Sequence, residues 1–371
     1  TSFITIMSMS LAAVAACESS STTAIMRCLR IFQAGLTHPF GKLSLPKKSH
    51  ATVKSTNQND LIPFPPYSPS GQIRMNGAST PIGDERTVQQ AFPSGVPSAE
   101  SDPFLMCDFF SMPSDEAPSP DPDHFPIGWH PHRGMDILSY IKTGVGRHGD
   151  SMGNRETFAT PGMQWISCGS GIEHAEGGAT PAGEVMTGFQ IWINVPSTRK
   201  MDDPRYGTEP PDALPQEQVE VGVKVRLLAG KMGERVGAMR AQCEIQMADF
   251  ELEPESRLAH SLPAGLDTCM LYCFQGSGEV AGESVPTGGV ALLDASSDEL
   301  RGFEFVAGSA GAHVMLFAGK KIKEPIAWHG PIVMNTDAEI RECFRDLRSG
   351  AFPPKRVAWD YKAIATKPAV P

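Results

Sequence analysis

Two short histidine motifs, 42 residues apart, could together bind one metal ion. His130-Pro-His132 and His174-Ala-Glu176 each hold two metal-binding side chains two residues apart. Because residues two apart in a β-strand point to the same face, each pair can aim at one point. Two facing strands would bring three imidazoles and one carboxylate together, a set that suits a divalent first-row metal such as iron. Scattered surface histidines are the alternative, which the glycine-rich, strand-like setting of both pairs disfavours.

The elements that must position these residues are predicted to be β-strands. The chain has 371 residues, enough for two domains, and its 36 Gly and 32 Pro with 20% charged residues favour short strands and turns. Strands are predicted over 135–142, 162–167 and 188–195. In the last of these, Phe189, Ile191 and Ile193 alternate with polar or amphipathic residues, the period of a half-buried strand.

The second half of the chain repeats this strand-rich pattern. Residues 196–222 contain five prolines and many charges and are interpreted as an interdomain linker. Further strands are predicted between 223 and 318, so the chain resembles a duplicated β-barrel. The second half contains His260 and His313, which have no paired neighbour, and we expect no comparable metal site there.

One helix is predicted near the C-terminus. Thr336 and Glu339 fit a capping box, and Gly350 is a plausible end. The apolar residues between them recur at helical spacing, which favours packing against a core over a partner site.

Composition also limits the partners. The net charge of −10 argues against direct binding to nucleic acid, although it leaves open binding to a protein that itself binds DNA. No apolar run reaches 18 residues, so no transmembrane helix is expected. The eight cysteines form no disulfide framework, and Cys269-x3-Cys273 is a weak metal signal. A reducing compartment and a monomer are expected.

The N-terminal segment differs from the rest. Residues 1–64 carry six Lys or Arg against two acids and are rich in Ser, Thr and Ala. Such a segment is typical of an organelle transit peptide, and a disordered tail is an equal alternative. In either case we expect that residues 1–64 pack against nothing and can be deleted.

Several ordered motifs make the chain similar to the pirin family of the cupin superfamily, and the resemblance covers about residues 87–350. The matching motifs are Asp102-Pro-Phe-Leu, His130-Pro-His-Arg-Gly134, His148-x-Asp150-Ser, Pro161-Gly-x-Gln-Trp165, Gly171-Ile-x-His-Ala-Glu176, Gln190-x-Trp192-x-Asn194, Lys200-Met201, Lys323-Glu-Pro-Ile and His329-Gly-Pro-x-Val-Met-Asn335.

The resemblance implies an all-β fold of two stacked antiparallel β-barrel (cupin, or jelly-roll) domains with a short C-terminal helix. The expected divisions are an N-terminal extension over 1–86, a metal-binding domain over 87–195, a linker over 196–222, a second domain over 223–330, and a helix and tail over 331–371. It further implies one mononuclear non-haem iron per chain, in the N-terminal domain. The family's ligands correspond to His130, His132, His174 and Glu176.

Three positions depart from the family pattern. Asp136 stands where Glu is usual, Ser170 where Arg is common, and Glu173 replaces an apolar residue beside His174. In a regular strand Glu173 points away from the metal. If it faced the pocket, its charge would favour Fe(III) and alter substrate choice.

The resemblance implies two alternative functions. One is a dioxygenase that cleaves flavonols such as quercetin with O2 and releases carbon monoxide, with Glu176 as the base that takes the substrate's 3-hydroxyl proton. The other is an iron- and redox-sensitive co-regulator that binds transcription factors without turnover. Arg133 could orient an anionic intermediate or form a structural salt bridge, and Trp165 and Phe189 could line a pocket, although core packing is favoured. The expected location is the cytoplasm or nucleus, or an organelle if residues 1–64 target one.

Overall fold

The computed structural model describes residues 72–75, 79–81, 87–114, 119, 121, 123–295 and 302–363. The predictions for residues 1–64 lie outside this range. The strands of the first half are, in chain order, β1 (Gln72–Met75), β2 (Ser79–Pro81), β3 (Thr87–Phe92), β4 (Phe104–Pro113), β5 (Ile127–His132), β6 (Met135–Thr143), β7 (Val145–Asp150), β8 (Arg155–Ala159), β9 (Gly162–Ser167), β10 (Ile172–Ala179) and β11 (Val185–Asn194). A short helix, α1 (Ser98–Ser101), precedes β4.

The second half continues in the same manner. Its strands are β12 (Arg205–Glu209), β13 (Glu217–Glu220), β14 (Val223–Ala229), β15 (Lys231–Met232), β16 (Arg235–Val236), β17 (Ile245–Leu252), β18 (Arg257–Ser261), β19 (Thr268–Val280), β20 (Glu283–Val285), β21 (Gly289–Leu293), β22 (Gly302–Gly319), β23 (Ala327–His329) and β24 (Ile332–Met334). The helix α2 (Asp337–Ser349) follows. The prediction of a mainly β protein is confirmed. None of the helices in the described part of the chain is long and apolar enough to span a bilayer.

Three sheets hold most of these strands. The N-terminal half forms a four-stranded sheet, ordered β5-β10-β7-β8, and, with β12 at one edge, a seven-stranded sheet, ordered β12-β9-β6-β11-β4-β3-β2. The C-terminal half, with β1 of the first half at one edge, forms a nine-stranded sheet along the path β1-β21-β19-β22-β17-β14-β13, to which β18 and β20 are added at the side. All the pairings between these strands are antiparallel.

Strict alternation along the central strands explains how the seven-stranded sheet separates two environments. In β6, Leu138 and Tyr140 pack into a core shared with the C-terminal sheet, whereas Ser139 and Ile141 face the four-stranded sheet. The shared core takes Tyr272 and Phe317 from the C-terminal half. The two halves therefore stack through the faces of their large sheets, and the other face of the N-terminal sheet is left to form an interior.

The segment over 196–222 differs from the predicted linker because it contains strands of both halves. Arg205–Glu209 pairs with Gly162–Ser167 at the edge of the N-terminal sheet, and Glu217–Glu220 pairs with Val223–Ala229 in the C-terminal sheet. The prolines that suggested a linker lie between these strands or at their ends, where a missing N–H breaks no ladder bond. The segment connects the two halves while extending a sheet in each.

The predicted C-terminal helix is present with both of its end signals. The Thr336 side chain accepts a hydrogen bond from the Glu339 N–H, the Glu339 carboxylate accepts one from the Thr336 N–H, and Gly350 ends the helix in the left-handed region at φ 74°. Ile340 and Cys343 are buried against β23 and β24. The apolar face of α2 therefore packs against a core, as the helical spacing of its apolar residues predicts.

Candidate metal centre

The pairing of β5 with β10 brings the two histidine motifs together. His174 lies directly opposite His130, and Ile172 lies opposite His132. The register then shifts between His174 and Glu176. Such an irregularity re-aims one side chain relative to its strand. The two sequence pairs therefore meet on one side of the four-stranded sheet.

The three imidazoles form a compact cluster. Each offers a nitrogen that lies within 4.8 Å of the nitrogens offered by the other two, and this is the one such group of potential metal ligands found among the described residues. His132 and His174 are 2% and 0% exposed. Burial first, and the neighbouring imidazoles second, hold the pKa of both rings well below the usual histidine value. Neutral imidazole is the form that binds a metal.

Backbone carbonyls fix the orientation of two of these rings. The Nδ1 atoms of His130 and His132 lie 2.7 Å from the Gly128 oxygen and 3.2 Å from the Pro331 oxygen. If each Nδ1 carries the proton, each Nε2 presents its lone pair to the cluster, the usual arrangement behind a metal-bound histidine. The buried Nε2 of His132 and both ring nitrogens of His174 have no hydrogen-bond partner. Partnerless buried nitrogens that converge on one point fit a metal ion.

Glu176 lies beside the cluster, held by neutral donors. One carboxylate oxygen is 4.0 Å from the His174 Nδ1. The Gln190 amide donates to Oε1 at 3.0 Å and the Gln164 amide donates to Oε2 at 2.5 Å. The Ser139 hydroxyl is 3.1 Å from Oε2 and can donate to it. The carboxylate is thus oriented toward the histidines by fixed hydrogen bonds. Its assignment as a fourth ligand stays a prediction.

A cavity of about 400 Å³ opens beside these residues. His130, His132 and Glu176 are part of its wall. Most of the remaining wall is apolar and is formed by Val88, Met106, Phe110, Met112, Ile127, Ile141, Met186 and Trp192. A mainly apolar cavity with a few convergent polar groups is the usual form of a small-molecule site.

The C-terminal segment supports the centre from outside the N-terminal domain. Beyond the carbonyl of Pro331, the Val333 N–H donates to the Arg133 oxygen at 3.0 Å. The buried Lys200 ammonium donates to the oxygens of Gly134 (2.7 Å) and Val333 (3.2 Å), and burial lowers its pKa to about 8. A Cβ on Gly134, whose φ is +83°, would lie 2.0 Å from the Val333 oxygen. Only glycine allows this approach of the chain.

The other candidate residues have structural positions. Arg133 donates to the Asp346 carboxylate at 2.9 Å and to the Ser170 oxygen at 2.7 Å, and its side chain is 4% exposed. The structural salt bridge predicted as one alternative for Arg133 is therefore observed. Phe189 and Trp165 belong to the core between the large sheets, as favoured, rather than to the cavity.

The three departures from the family pattern also have clear positions. Glu173 points away from the cluster, as a regular strand predicts, and its carboxylate contacts the Tyr361 hydroxyl and, at 3.1 Å, the Lys362 ammonium. Asp136 accepts from the backbone and side-chain N–H of Gln242, which joins the two halves of the chain. Nothing in the structure explains Ser170 in place of Arg.

Sequence reasoning gave no role to the residues that hold Glu176. The family motifs include Gln164 and Gln190 but indicate no role for them, and no motif contains Ser139. The available signal was alternation, because each is a polar residue between two apolar neighbours in its strand. His148, also quoted only within a motif, is buried, stacks on Tyr206 at 4.1 Å and contacts the Asp150 carboxylate at 3.0 Å.

Comparison with protein families gives matches in both halves of the chain. The family model Pirin matches residues 85–193, and the model described as the pirin C-terminal cupin domain matches residues 247–353. The two matched ranges agree with the two strand-rich halves and show two cupin domains. The predicted domain limits themselves stay predictions.

Similar proteins and structures agree with these matches. A Pseudomonas aeruginosa protein provisionally named quercetin 2,3-dioxygenase is 35% identical over 282 residues, which are 73% of this chain and 94% of that protein. A pirin-like protein of Caulobacter vibrioides is 33% identical over 73% of this chain and 95% of its own. The crystal structure of a quercetin 2,3-dioxygenase from Acinetobacter baumannii is 26% identical, covers 76% of this chain and 97% of its own, and has a TM-score of 0.66. This chain belongs to the pirin family.

Proposed function

We propose that this chain is a mononuclear non-haem iron dioxygenase that cleaves flavonols such as quercetin with O2 and releases carbon monoxide. The observation that carries the proposal is the meeting of three imidazoles and a fixed carboxylate beside an apolar cavity. Two relatives provisionally named quercetin 2,3-dioxygenase, at 35% and 31% identity, add support.

The donor set fits iron. His130, His132 and His174 would hold the ion through nitrogen and Glu176 through oxygen, a nitrogen-rich set that suits first-row metals and leaves positions for a substrate. When bound, the iron would supply Lewis acidity, which lowers the pKa of a coordinated hydroxyl, and the redox chemistry needed for O2. The same donor set accepts other divalent metals, so iron itself is part of the proposal.

In this proposal Glu176 takes the proton of the substrate's 3-hydroxyl. Its carboxylate is 5% exposed, and the amides of Gln164 and Gln190 hold its two oxygens in place. A base that is already oriented needs no rearrangement at the moment of transfer, which is the usual advantage of a positioned side chain. These two glutamines are therefore positioning residues for the base.

The apolar wall of the cavity would hold the flat rings of a flavonol. Phe110, Met112, Met186 and Trp192 present aromatic and thioether surfaces, which pack well against aromatic rings. A bound flavonol would displace water from this cavity, and the loss of water strengthens the electrostatic contacts of the deprotonated substrate.

A single experiment tests the proposal. Purified protein is loaded with Fe(II) under nitrogen, mixed with quercetin and then exposed to O2, while quercetin absorbance and released carbon monoxide are measured. We expect quercetin to disappear with release of about one carbon monoxide per molecule cleaved, and His132→Ala to show neither. Iron binding without any turnover would reject the dioxygenase and favour the alternative, an iron-sensitive co-regulator that binds protein partners.

A further inference from the structure

We propose that Asp108 forms a second polar anchor of the cavity, which accepts a hydrogen bond from an outer-ring hydroxyl of the substrate. The substrate class would then be polyhydroxylated flavonols rather than any flavonol with a 3-hydroxyl. The inference rests on the proposed function, because it assumes that the 3-hydroxyl lies at Glu176.

Asp108 belongs to a row of polar residues that crosses the cavity floor. Strand pairing places Gln90 opposite Asp108, Asp108 opposite Gln190, Gln190 opposite Ser139, and Ser139 opposite Gln164. Directly opposed residues of antiparallel strands lie on the same face of a sheet. The row therefore runs across five strands on one face, with an acidic side chain on β4.

The residues at the two ends of this row have different surroundings. Ser139, Gln164 and Gln190 contact Glu176. Asp108 lies one strand beyond Gln190, and neighbouring strands are about 4.8 Å apart. It therefore stands about 10 Å across the floor from Ser139, two strand spacings away. A molecule whose reacting hydroxyl lies at Glu176 can reach Asp108 with a second ring.

The surroundings of Asp108 leave it with capacity to accept a hydrogen bond. It is 8% exposed and lines the cavity between apolar residues, of which Met106 and Phe110 are its neighbours on β4. The Gln90 amide donates to Oδ1 at 2.9 Å. A carboxylate has about four acceptor sites, and no cation among the described residues pairs with it. A buried carboxyl without a cation is costly for the fold unless it meets a donor.

Burial also raises the pKa of Asp108 to about 6. Near neutral pH the group is thus mostly ionised, which makes it a good acceptor for a phenolic hydroxyl. The alternative role is purely structural, in which Asp108 only anchors Gln90 and the edge of the sheet. The two roles differ in whether the effect of a substitution depends on the ligand.

Two ligands and two variants separate these roles. Quercetin carries hydroxyls on its outer rings, whereas 3-hydroxyflavone carries only the 3-hydroxyl. The dissociation constants of both are measured anaerobically with Fe(II)-loaded protein, by the quenching of tryptophan fluorescence, so that no turnover is needed. Asp108→Asn keeps the size and the contact with Gln90 but removes the charge, and Gln90→Leu removes the contact but keeps the carboxylate.

We expect Asp108→Asn to weaken quercetin binding roughly tenfold or more, the usual loss of a hydrogen bond to a charged group, and to leave 3-hydroxyflavone unchanged. Gln90→Leu should change neither constant more than about twofold. Equal weakening of both ligands by Asp108→Asn, no weakening of either, or the same selective loss in Gln90→Leu would overturn the inference. Wild-type protein that binds neither flavonol would instead reject the proposed function, and the inference with it.

Discussion

The two cupin domains are each built on a large antiparallel sheet but differ in the side chains that this sheet points inward. In the N-terminal domain, inward positions of the large sheet carry Asp108, Ser139, Gln164 and Gln190, which border a cavity. In the C-terminal domain, the inner face of the sheet is packed with apolar side chains, of which Phe250, Leu271, Phe305, Val314 and Leu316 are fully buried. The same fold can therefore enclose either a cavity with polar groups or an apolar core, and the chemistry depends on which residues occupy the inward positions.

The C-terminal half also contributes a contact to the histidine cluster. Its interior holds a polar pair, His260 and Gln246, whose Nε2 and Oε1 lie 2.8 Å apart. Within the range that matches the pirin C-terminal cupin model, the chain places the Pro331 oxygen behind His132. The N-terminal half therefore supplies the clustered histidines, and the C-terminal half supplies a carbonyl that orients one of them.

The largest expected effect concerns the metal itself. His132→Ala removes one of three clustered imidazoles, and His260→Ala removes a buried histidine of the C-terminal domain. We expect the first to lose nearly all its iron, since even the loss of a hydrogen-bond partner behind a ligand weakens metal binding about 10–100-fold. The second should keep it. Iron per chain after Fe(II) loading and dialysis, measured by elemental analysis, decides this, and full iron content in His132→Ala would show that the ligand assignment is wrong.

The next largest effect is expected on turnover, for a substitution at Glu176. A substitution at Glu173, on the opposite side of the same strand, should have little effect. Glu176→Gln keeps the size and an oxygen but cannot accept a proton, so turnover per bound iron should fall by roughly 10²–10⁴. Glu173→Gln, on the opposite side of β10, should leave turnover within about twofold, because the contacts of its carboxylate among the described residues are with Tyr361 and Lys362, away from the histidines. Quercetin consumption normalised to iron content measures both. Unchanged turnover per iron in Glu176→Gln would rule it out as the base.

Sequence alone predicted the parts of this centre that depend on local spacing. The i, i+2 pairs, the alternation of β11 and the capping box of α2 all follow from short-range geometry, and the structure contains each. The role of Pro331, 199 residues after His132, could not be predicted, because a carbonyl contact leaves no trace in residue type. The same holds for Lys200, whose ammonium donates to carbonyls on two distant segments.

The polar row was missed for a different reason. Ser139, Gln164 and Gln190 lie on three separate strands, and only the register of the sheet aligns them. The prolines and charges of the predicted linker over 196–222 describe its turns and gave no sign of its two short edge strands. In each case the missing information is the pairing between segments far apart in sequence.

A pair of phenylalanines tests how the two interiors contribute to stability. Phe250 is fully buried in the C-terminal core, whereas Phe110 is only partly buried and borders the N-terminal cavity. Phe250→Ala should lower the free energy of unfolding by about 3–5 kcal/mol, the usual loss for a buried phenylalanine. Phe110→Ala should lower it by less than half as much, because its site already opens onto empty space. Urea denaturation measures both, and equal losses would contradict the contrast between the interiors.

The smallest expected effect is a difference in pH dependence between buried groups of the two domains. Burial raises the pKa of Asp108 to about 6 and lowers that of His260 to about 4. Between pH 4 and 6 the folded state therefore holds the Asp108 proton more tightly than the unfolded state does, and stability falls as pH rises. Between pH 4 and about 6.5, the unfolded state holds the His260 proton more tightly than the folded state does. Its contribution therefore lowers the stability of the fold as pH decreases through this range.

Neutral substitutions should reveal these opposite slopes. Asp108→Asn should gain stability relative to wild type as pH rises from 4 to 6, and His260→Gln should gain it as pH falls from 6.5 to 4, each by at most about 3 kcal/mol over the range. The quantity to compare is the difference in unfolding free energy between variant and wild type, followed across pH. A packing effect of the substitution that does not depend on pH shifts this difference equally at every pH and leaves its slope unchanged. Denaturant midpoints at pH 4.5, 5.5, 6.5 and 8 would measure the slopes. Slopes of the same sign would mean that one of these groups is not buried in the form that the structure shows.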